Sequence, residues 1–83
     1  MQINYTKQAL KYLAKLDKPT IQRLKNAIYQ LSYEPPEGDI KPIKGQENIY
    51  RARVGDYRIL FEIDSDSGVI MIRKIAPRGE IYK

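Results

Sequence analysis

The stretch IYRARVGDYRILFEI, residues 49–63, decides the fold. Apolar and polar side chains alternate on both sides of Gly55-Asp56, and alternation with a period of two predicts β-strands. A two-residue loop that contains glycine is a common connection of a β-hairpin. The sequence therefore predicts two antiparallel strands, Ile49–Val54 and Tyr57–Asp64, joined by a tight turn.

The length of this turn determines which residues face each other across the hairpin, and opposed residues share a face of the sheet. The expected opposed pairs are Val54–Tyr57, Arg53–Arg58, Ala52–Ile59 and Arg51–Leu60. One face is then apolar and forms the core, with the side chains Tyr50, Ala52, Val54, Tyr57, Ile59, Phe61 and Ile63. The other face carries three arginines, Arg51, Arg53 and Arg58.

Two interpretations of the arginine-bearing face remain open at this point. Arg53 opposite Arg58 is a like-charge pair, which by itself destabilises a sheet. A solvated face would offset the repulsion through an acid nearby, such as Glu62 or Asp64. A phosphate-binding face would offset it through its ligand, because arginine binds phosphate by planar, bidentate contacts.

The flanking sequence predicts two short helices before the hairpin. Thr6 is a suitable N-cap for a helix through about Leu16, which carries apolar residues on one side. Asp17 is a suitable N-cap for a second helix, and Pro19 is tolerated in its first turn. The Pro35-Pro36 pair ends this second helix. The close spacing of the two helices predicts an αα-hairpin.

The remaining segments complete a single α+β domain over residues 1–83. Residues 2–5 are predicted to form a short strand, residues 35–48 a loop, and residues 69–76 a last strand. In a simple alternating register Arg73 joins the arginine-bearing face but Lys74 points into the core, so a different register is expected near this point. The predicted order is β-α-α-β-β-β, with the helical hairpin packed on an antiparallel sheet.

The composition excludes several classes of function. The chain has no Cys and no His, which excludes thiol catalysis, disulfides, and zinc sites built on these residues. We therefore expect no metal site and no cofactor. Without an 18-residue apolar run or a signal-peptide pattern, we expect no membrane association and a cytoplasmic location. The net charge of +5 suits either a nucleic-acid partner or a solubilising surface.

The residues 49–63 hairpin and the ending IAPRGEIYK, residues 75–83, resemble the RelE/ParE toxin superfamily. The resemblance covers nearly the whole chain and includes the Lys44-Gly45 step before the sheet and the Arg78 and Tyr82 pair. It implies a RelE-like fold and the toxin of a type II toxin–antitoxin pair. A cognate antitoxin and a hetero-oligomer with it are implied partners.

The resemblance also implies a site and a reaction. RelE-like members cut mRNA in the ribosomal A site, so the ribosome and mRNA are implied partners. The implied activity is that of a metal-independent, ribosome-dependent endoribonuclease. The implied catalytic residues are Arg58, Arg78 and Tyr82, and the implied RNA-binding residues are Lys44, Arg51 and Arg53. Arg73 is a further candidate for RNA binding because the simple register places it on the same face. Two alternatives stay open: a ParE-like gyrase inhibitor without nuclease activity, and a degenerate toxin that acts only as an antitoxin-binding module.

Overall fold

Two helices pack on one face of a five-stranded sheet in the computed structural model, which describes residues 1–77. The elements in chain order are β1 (Gln2–Tyr5), α1 (Lys7–Ala14), α2 (Lys18–Leu31), β2 (Asp39–Pro42), β3 (Ile49–Val54), β4 (Tyr57–Asp64) and β5 (Val69–Pro77). The α+β class and the helical hairpin are confirmed. Neither helix in this part of the chain is long and apolar enough to cross a membrane.

Both predicted helix caps are confirmed. The Thr6 hydroxyl accepts a hydrogen bond from the Ala9 amide at 3.1 Å, and the Asp17 carboxylate accepts one from the Thr20 amide at 3.2 Å. The Thr20 hydroxyl also donates to Asp17, and this hydrogen bond lowers the pKa of the Asp17 carboxyl below its usual value. α1 ends at Ala14, two residues before the predicted end, because Lys15 adopts the C-cap position.

The hairpin of β3 and β4 has the predicted register. Arg53 lies opposite Arg58, and the other opposed pairs are Val54–Tyr57, Ala52–Ile59 and Arg51–Leu60. The turn begins at Gly55, whose φ of 58° lies in the left-handed region that glycine adopts without strain. The local sequence was therefore sufficient to place the arginines on one face.

The sheet differs from the prediction at both edges. Residues 35–48, predicted as a loop, contain the short strand β2, which pairs antiparallel with β3. β1 pairs parallel with β5, so the sheet is mixed and has the order β1-β5-β4-β3-β2. β2 could not be recognised from its pattern because only Ile40 of its four residues packs against the core, and Pro42 is tolerated at an edge strand.

A β-bulge in β5 explains the conflict at Arg73 and Lys74. Lys74 pairs with Leu60, whereas the next pair on β4 is Phe61 with Ile72, so Arg73 is the extra residue. The bulge moves Lys74 to the same face as the arginines and returns Ile75 to the core. The expectation of an altered register at this point is thus confirmed.

The core lies between the helices and the inner face of the sheet. The helices contribute five buried members, which are Ala9 and Leu13 of α1 and Leu24, Ile28 and Leu31 of α2. Strands β3 to β5 contribute six, which are Ala52, Ile59, Phe61, Ile70, Ile72 and Ile75. The packing of these side chains leaves the opposite face of the sheet to carry the polar and charged residues.

Thr6 offers a direct test of how α1 is attached to the sheet. Its hydroxyl caps α1 and also donates to the carbonyl oxygen of Arg73 at the bulge, at 2.8 Å. Thr6→Val keeps the shape but removes both hydrogen bonds, so we expect it to lower the free energy of unfolding by about 1–2 kcal/mol. Urea unfolding measures this loss. Thr6→Ser, which retains the hydroxyl, should be clearly more stable than Thr6→Val; equal stability would contradict the role.

Candidate functional site

The face of the sheet turned away from the helices carries most of the charge of the strands. We call it the basic face, and it consists of six cations and three acids: Lys41, Arg51, Arg53, Arg58, Arg73, Lys74, Asp39, Glu62 and Asp64. These residues alternate with buried core residues such as Ala52 and Ile59, which fixes the face on which they lie. The face has a formal charge of +3, from six positive and three negative side chains.

Asp39 offsets part of the repulsion in the central arginine pair. It lies opposite Arg53 on the edge strand β2, and its Oδ2 atom is 3.0 Å from Nε of Arg53. Its Oδ1 atom is 3.8 Å from Nη1 of Arg51. The acid that the like-charge pair required is therefore Asp39, whereas Glu62 pairs with Arg73 and Asp64 caps the turn after β4.

Arg58 is the central arginine whose charge no carboxylate of residues 1–77 neutralises. The ion pairs formed within that range join Arg51 and Arg53 to Asp39 and Arg73 to Glu62. Arg58 instead donates from Nη1 to the carbonyl oxygen of Tyr57 at 3.2 Å. This bond orients the half-buried guanidinium and leaves its other donors available to an anion.

Arg51 and Arg53 differ in exposure although both contact Asp39. The side chain of Arg51 is only 10% exposed, whereas that of Arg53 is 56% exposed. Long side chains held in a fixed position lose little further entropy on binding a ligand. The buried Arg51 is therefore a preorganised positive charge, and Arg53 is the more exposed partner of Arg58.

The structure brings some of the predicted site residues together and separates others. Arg51, Arg53 and Arg58 lie side by side, and Arg73 lies on the same face beside Glu62. Lys44 is exposed in the loop between β2 and β3, at the end of β3 opposite to the Gly55 turn, and is not part of this cluster. The predictions for Arg78 and Tyr82 lie outside the described residues.

Sequence reasoning missed three members of the basic face: Asp39, Lys41 and Lys74. Asp39 and Lys41 flank Ile40 in a segment rich in Pro and Gly, where three alternating residues are too few to predict a strand. Lys74 was not placed on this face because the sequence predicts an altered register near this point but does not show where the bulge lies. The sequence did contain one signal of the bulge: a simple alternating register places Lys74 at a position expected to be apolar.

The arrangement is suited to binding the backbone of a polyanion. Adjacent guanidinium groups can each donate two hydrogen bonds to phosphate oxygens, and they remain charged at any physiological pH. The chain cannot use histidine or cysteine for proton transfer because it contains neither. Chemistry at this face would therefore depend on charge stabilisation by arginine and on a proton carrier of another type.

Comparisons with known proteins match almost the entire chain. The family model described as "ParE toxin of type II toxin-antitoxin system, parDE" matches residues 3–82. RelE1 of Methanocaldococcus jannaschii is 35% identical over 80 residues, which cover 93% of this chain and 89% of that protein. The family model carries the ParE description, whereas this relative carries the RelE name.

Solved structures support the same assignment. The RelE–RelB complex of Pyrococcus horikoshii OT3 matches at 34% identity with a TM-score of 0.81, covering 95% of this chain and 96% of that chain. Isolated RelE of E. coli, at 19% identity and a TM-score of 0.79 over 98% of this chain and 89% of that chain, shares the fold. The chain therefore belongs to the RelE/ParE superfamily of toxins of type II toxin–antitoxin systems.

Proposed function

We propose that this toxin is a metal-independent endoribonuclease that cleaves mRNA on the ribosome. The observation that carries the proposal is the central pair of the basic face: Arg58 has no carboxylate partner within residues 1–77 and lies directly opposite Arg53. A ligand with phosphate groups would relieve the repulsion between them. The absence of His and Cys favours a reaction in which RNA supplies its own nucleophile.

The reaction is an internal transfer within the RNA chain. The ribose 2′-oxygen attacks the adjacent phosphorus, a new 2′-O–P bond forms, and the bond to the 5′-oxygen of the next nucleotide breaks. The products are a 2′,3′-cyclic phosphate and a 5′-hydroxyl. One proton leaves the 2′-hydroxyl and one is delivered to the leaving oxygen, while the phosphoryl oxygens gain negative charge in the transition state.

The site residues divide this work by charge and position. Arg58 and Arg78 hold the scissile phosphate and stabilise its added charge, and Arg51 and Arg53 position the flanking backbone. Lys44 and Arg73 contact RNA further from the cut. Tyr82 carries a proton or stacks on the target base, since arginine stays protonated and cannot act as a base.

The ribosome supplies what the chain lacks. A protein without histidine has no side chain with an ordinary pKa near 7, so its own proton transfer is weak. Fixing the mRNA in an in-line geometry removes the need for much of that catalysis. We therefore expect purified protein to cut mRNA in programmed ribosomes at least about 100-fold faster than the same RNA free in solution.

A cognate antitoxin is the second proposed partner. The Pyrococcus horikoshii and Methanococcus jannaschii structures are complexes of RelE with RelB, and both RelE chains are more than 30% identical to this one. An antitoxin segment with acidic residues would complement the charge of the basic face and fold as it binds. We expect a hetero-oligomer of toxin and antitoxin in the cytoplasm.

The experiment that tests the proposal compares ribosome-bound and free RNA directly. A 5′-labelled mRNA is incubated with the purified protein, either alone or in the A site of programmed ribosomes, and fragments are resolved with their end groups identified. Fragments with 2′,3′-cyclic phosphate that arise only or chiefly with ribosomes support the proposal. Equal rates on free and ribosome-bound RNA would contradict it.

The ParE description of the matching family model favours a second candidate, inhibition of DNA gyrase without nuclease activity. This candidate requires a surface that binds protein rather than a site that binds phosphate. A supercoiling assay with purified gyrase tests it. Inhibition of supercoiling together with intact mRNA in the ribosome assay would favour gyrase as the target.

Asp39 gives a prediction specific to the basic face. Asp39→Asn removes the charge that neutralises Arg51 and Arg53 but keeps the side-chain volume. We expect affinity for an RNA oligonucleotide to rise about two- to fivefold, because an unneutralised cation adds about one phosphate contact. The free energy of unfolding should change by less than about 1 kcal/mol, since Asp39 and Arg53 are both about half exposed and the contact with the buried Arg51 is long, at 3.8 Å. Fluorescence anisotropy and urea unfolding measure the two effects, and weaker RNA binding would contradict the assignment.

A further inference from the structure

A groove with four lysines lies between α1 and the second half of β5. Its volume is about 510 Å³. The lining residues are the lysines Lys7, Lys11, Lys15 and Lys74 and the neutral residues Gln8, Tyr12, Ile75, Ala76 and Pro77. Among residues 1–77 the groove lining contains no acidic residue, so this part of the surface is strongly positive.

Two lysines of α1 and the lysine at its C-cap form a regular row. Lys7, Lys11 and Lys15 are spaced four residues apart, which places them on one side of the helix about 6 Å apart along its axis. All three are exposed, and α1 contains no acidic residue to form pairs along the helix. Within residues 1–77 none of the four groove lysines takes part in an ion pair. Like charges at this spacing repel, so the row is costly without an anionic partner.

Lys74 connects the groove to the basic face. The bulge at Arg73 places Lys74 beside Leu60, which lies opposite Arg51 on β3. The same lysine lines the groove beside α1. A polyanion that crosses the basic face therefore meets continuous positive charge as it reaches α1.

We propose that this lysine groove docks the sugar-phosphate backbone of ribosomal RNA and holds the toxin on the ribosome. The inference rests on the proposed ribosome-dependent function and adds the surface that binds the ribosome. Lysine is a flexible point charge that tolerates many backbone geometries, which suits docking rather than catalysis. Ile75 and Ala76 at the groove are only 2% and 4% exposed, so the accessible lining comes mainly from the lysines, Gln8, Tyr12 and Pro77.

The test compares two double variants that remove the same charge from different helices. Lys11→Gln/Lys15→Gln removes two groove lysines, and Lys18→Gln/Lys25→Gln removes two exposed lysines of α2. Glutamine preserves helix propensity in both. Binding to purified ribosomes is measured by cosedimentation across a range of salt concentrations. Binding to the antitoxin is measured in parallel, since it requires folded toxin.

We expect the groove variant to bind ribosomes about tenfold more weakly at physiological salt, because it loses about two phosphate contacts. The slope of log affinity against log salt should also fall by about 1.5–2. The α2 variant should stay within about twofold of the wild type, and antitoxin affinity should be unchanged in both.

Unchanged ribosome binding by the groove variant, or equal losses in both variants, would overturn the inference. Loss of antitoxin binding alone would assign the groove to the antitoxin, and failure of the wild type to bind ribosomes would instead overturn the proposed function.

Discussion

Arg58→Ala is expected to reduce the rate of cleavage of ribosome-bound mRNA by about two to three orders of magnitude. The variant removes the guanidinium that no carboxylate of residues 1–77 neutralises and that lies opposite Arg53. Loss of one preorganised donor to a developing negative charge typically has an effect of about 100- to 1,000-fold. Single-turnover cleavage at saturating ribosome concentration measures the chemical step apart from binding.

Two further variants make this result specific. Arg58→Lys keeps the charge but loses the planar pair of donors, so its rate should lie between those of the wild type and Arg58→Ala. Arg23→Ala removes an arginine of α2 whose guanidinium lies near the Gly55 turn and outside the basic face, and it should cleave at close to the wild-type rate. The role of Arg58 would be contradicted by an Arg58→Ala rate within about threefold of the Arg23→Ala rate.

Phe61→Ala is expected to lower the free energy of unfolding by about 3–5 kcal/mol. Phe61 is fully buried at the centre of β4, and its ring stacks on Tyr50 at a centroid distance of 5.7 Å. A domain of this length has a total stability of only about 4–12 kcal/mol, so the variant should be largely unfolded at elevated temperature. Urea unfolding of the isolated toxin measures the change, because a bound antitoxin would mask part of it.

Tyr29→Ala is the matched control for Phe61→Ala. Tyr29 is an aromatic residue that is 62% exposed on α2 and contacts Tyr33 edge to face. Its removal deletes a ring without opening a cavity, so we expect a loss below about 1 kcal/mol. Similar losses in the two variants would contradict a core centred on Phe61.

The hairpin could be predicted from the sequence because its information is local. A turn at Gly55 and the alternation around it are enough to place Arg53 opposite Arg58. The starts of both helices could be predicted for the same reason, since the caps at Thr6 and Asp17 depend on residues only three positions away. Each of these features needs no knowledge of the rest of the chain.

Features that depend on distant pairing could not be predicted in the same way. β2 is a four-residue strand that exists because β3 offers it an edge, and Asp39 belongs to the basic face only through that pairing. The parallel pairing of β1 with β5 joins segments more than 60 residues apart. The bulge at Arg73 became visible only as a misplaced lysine, because its position depends on how both ends of β5 pair with β4.

These differences changed the interpretation of the candidate site. The sequence left open whether Arg51 and Arg53 are solvated residues with acidic partners or a phosphate site. The structure gives these two arginines an acidic partner, Asp39, and leaves Arg58 without one in residues 1–77. Arg58 is therefore the arginine with the strongest case for binding a phosphate. Asp39 partly neutralises the charges of Arg51 and Arg53 beside it.

Mapping of the 5′ ends of cellular mRNA after induced expression tests the proposed nuclease activity most directly. The wild type and Arg58→Ala are induced in a bacterial host, and RNA ends are sorted by whether they carry a 5′-hydroxyl. The proposal predicts growth arrest with new 5′-hydroxyl ends inside translated frames, and loss of those ends in Arg58→Ala. Growth arrest without new ends, or the same ends in Arg58→Ala, would contradict it.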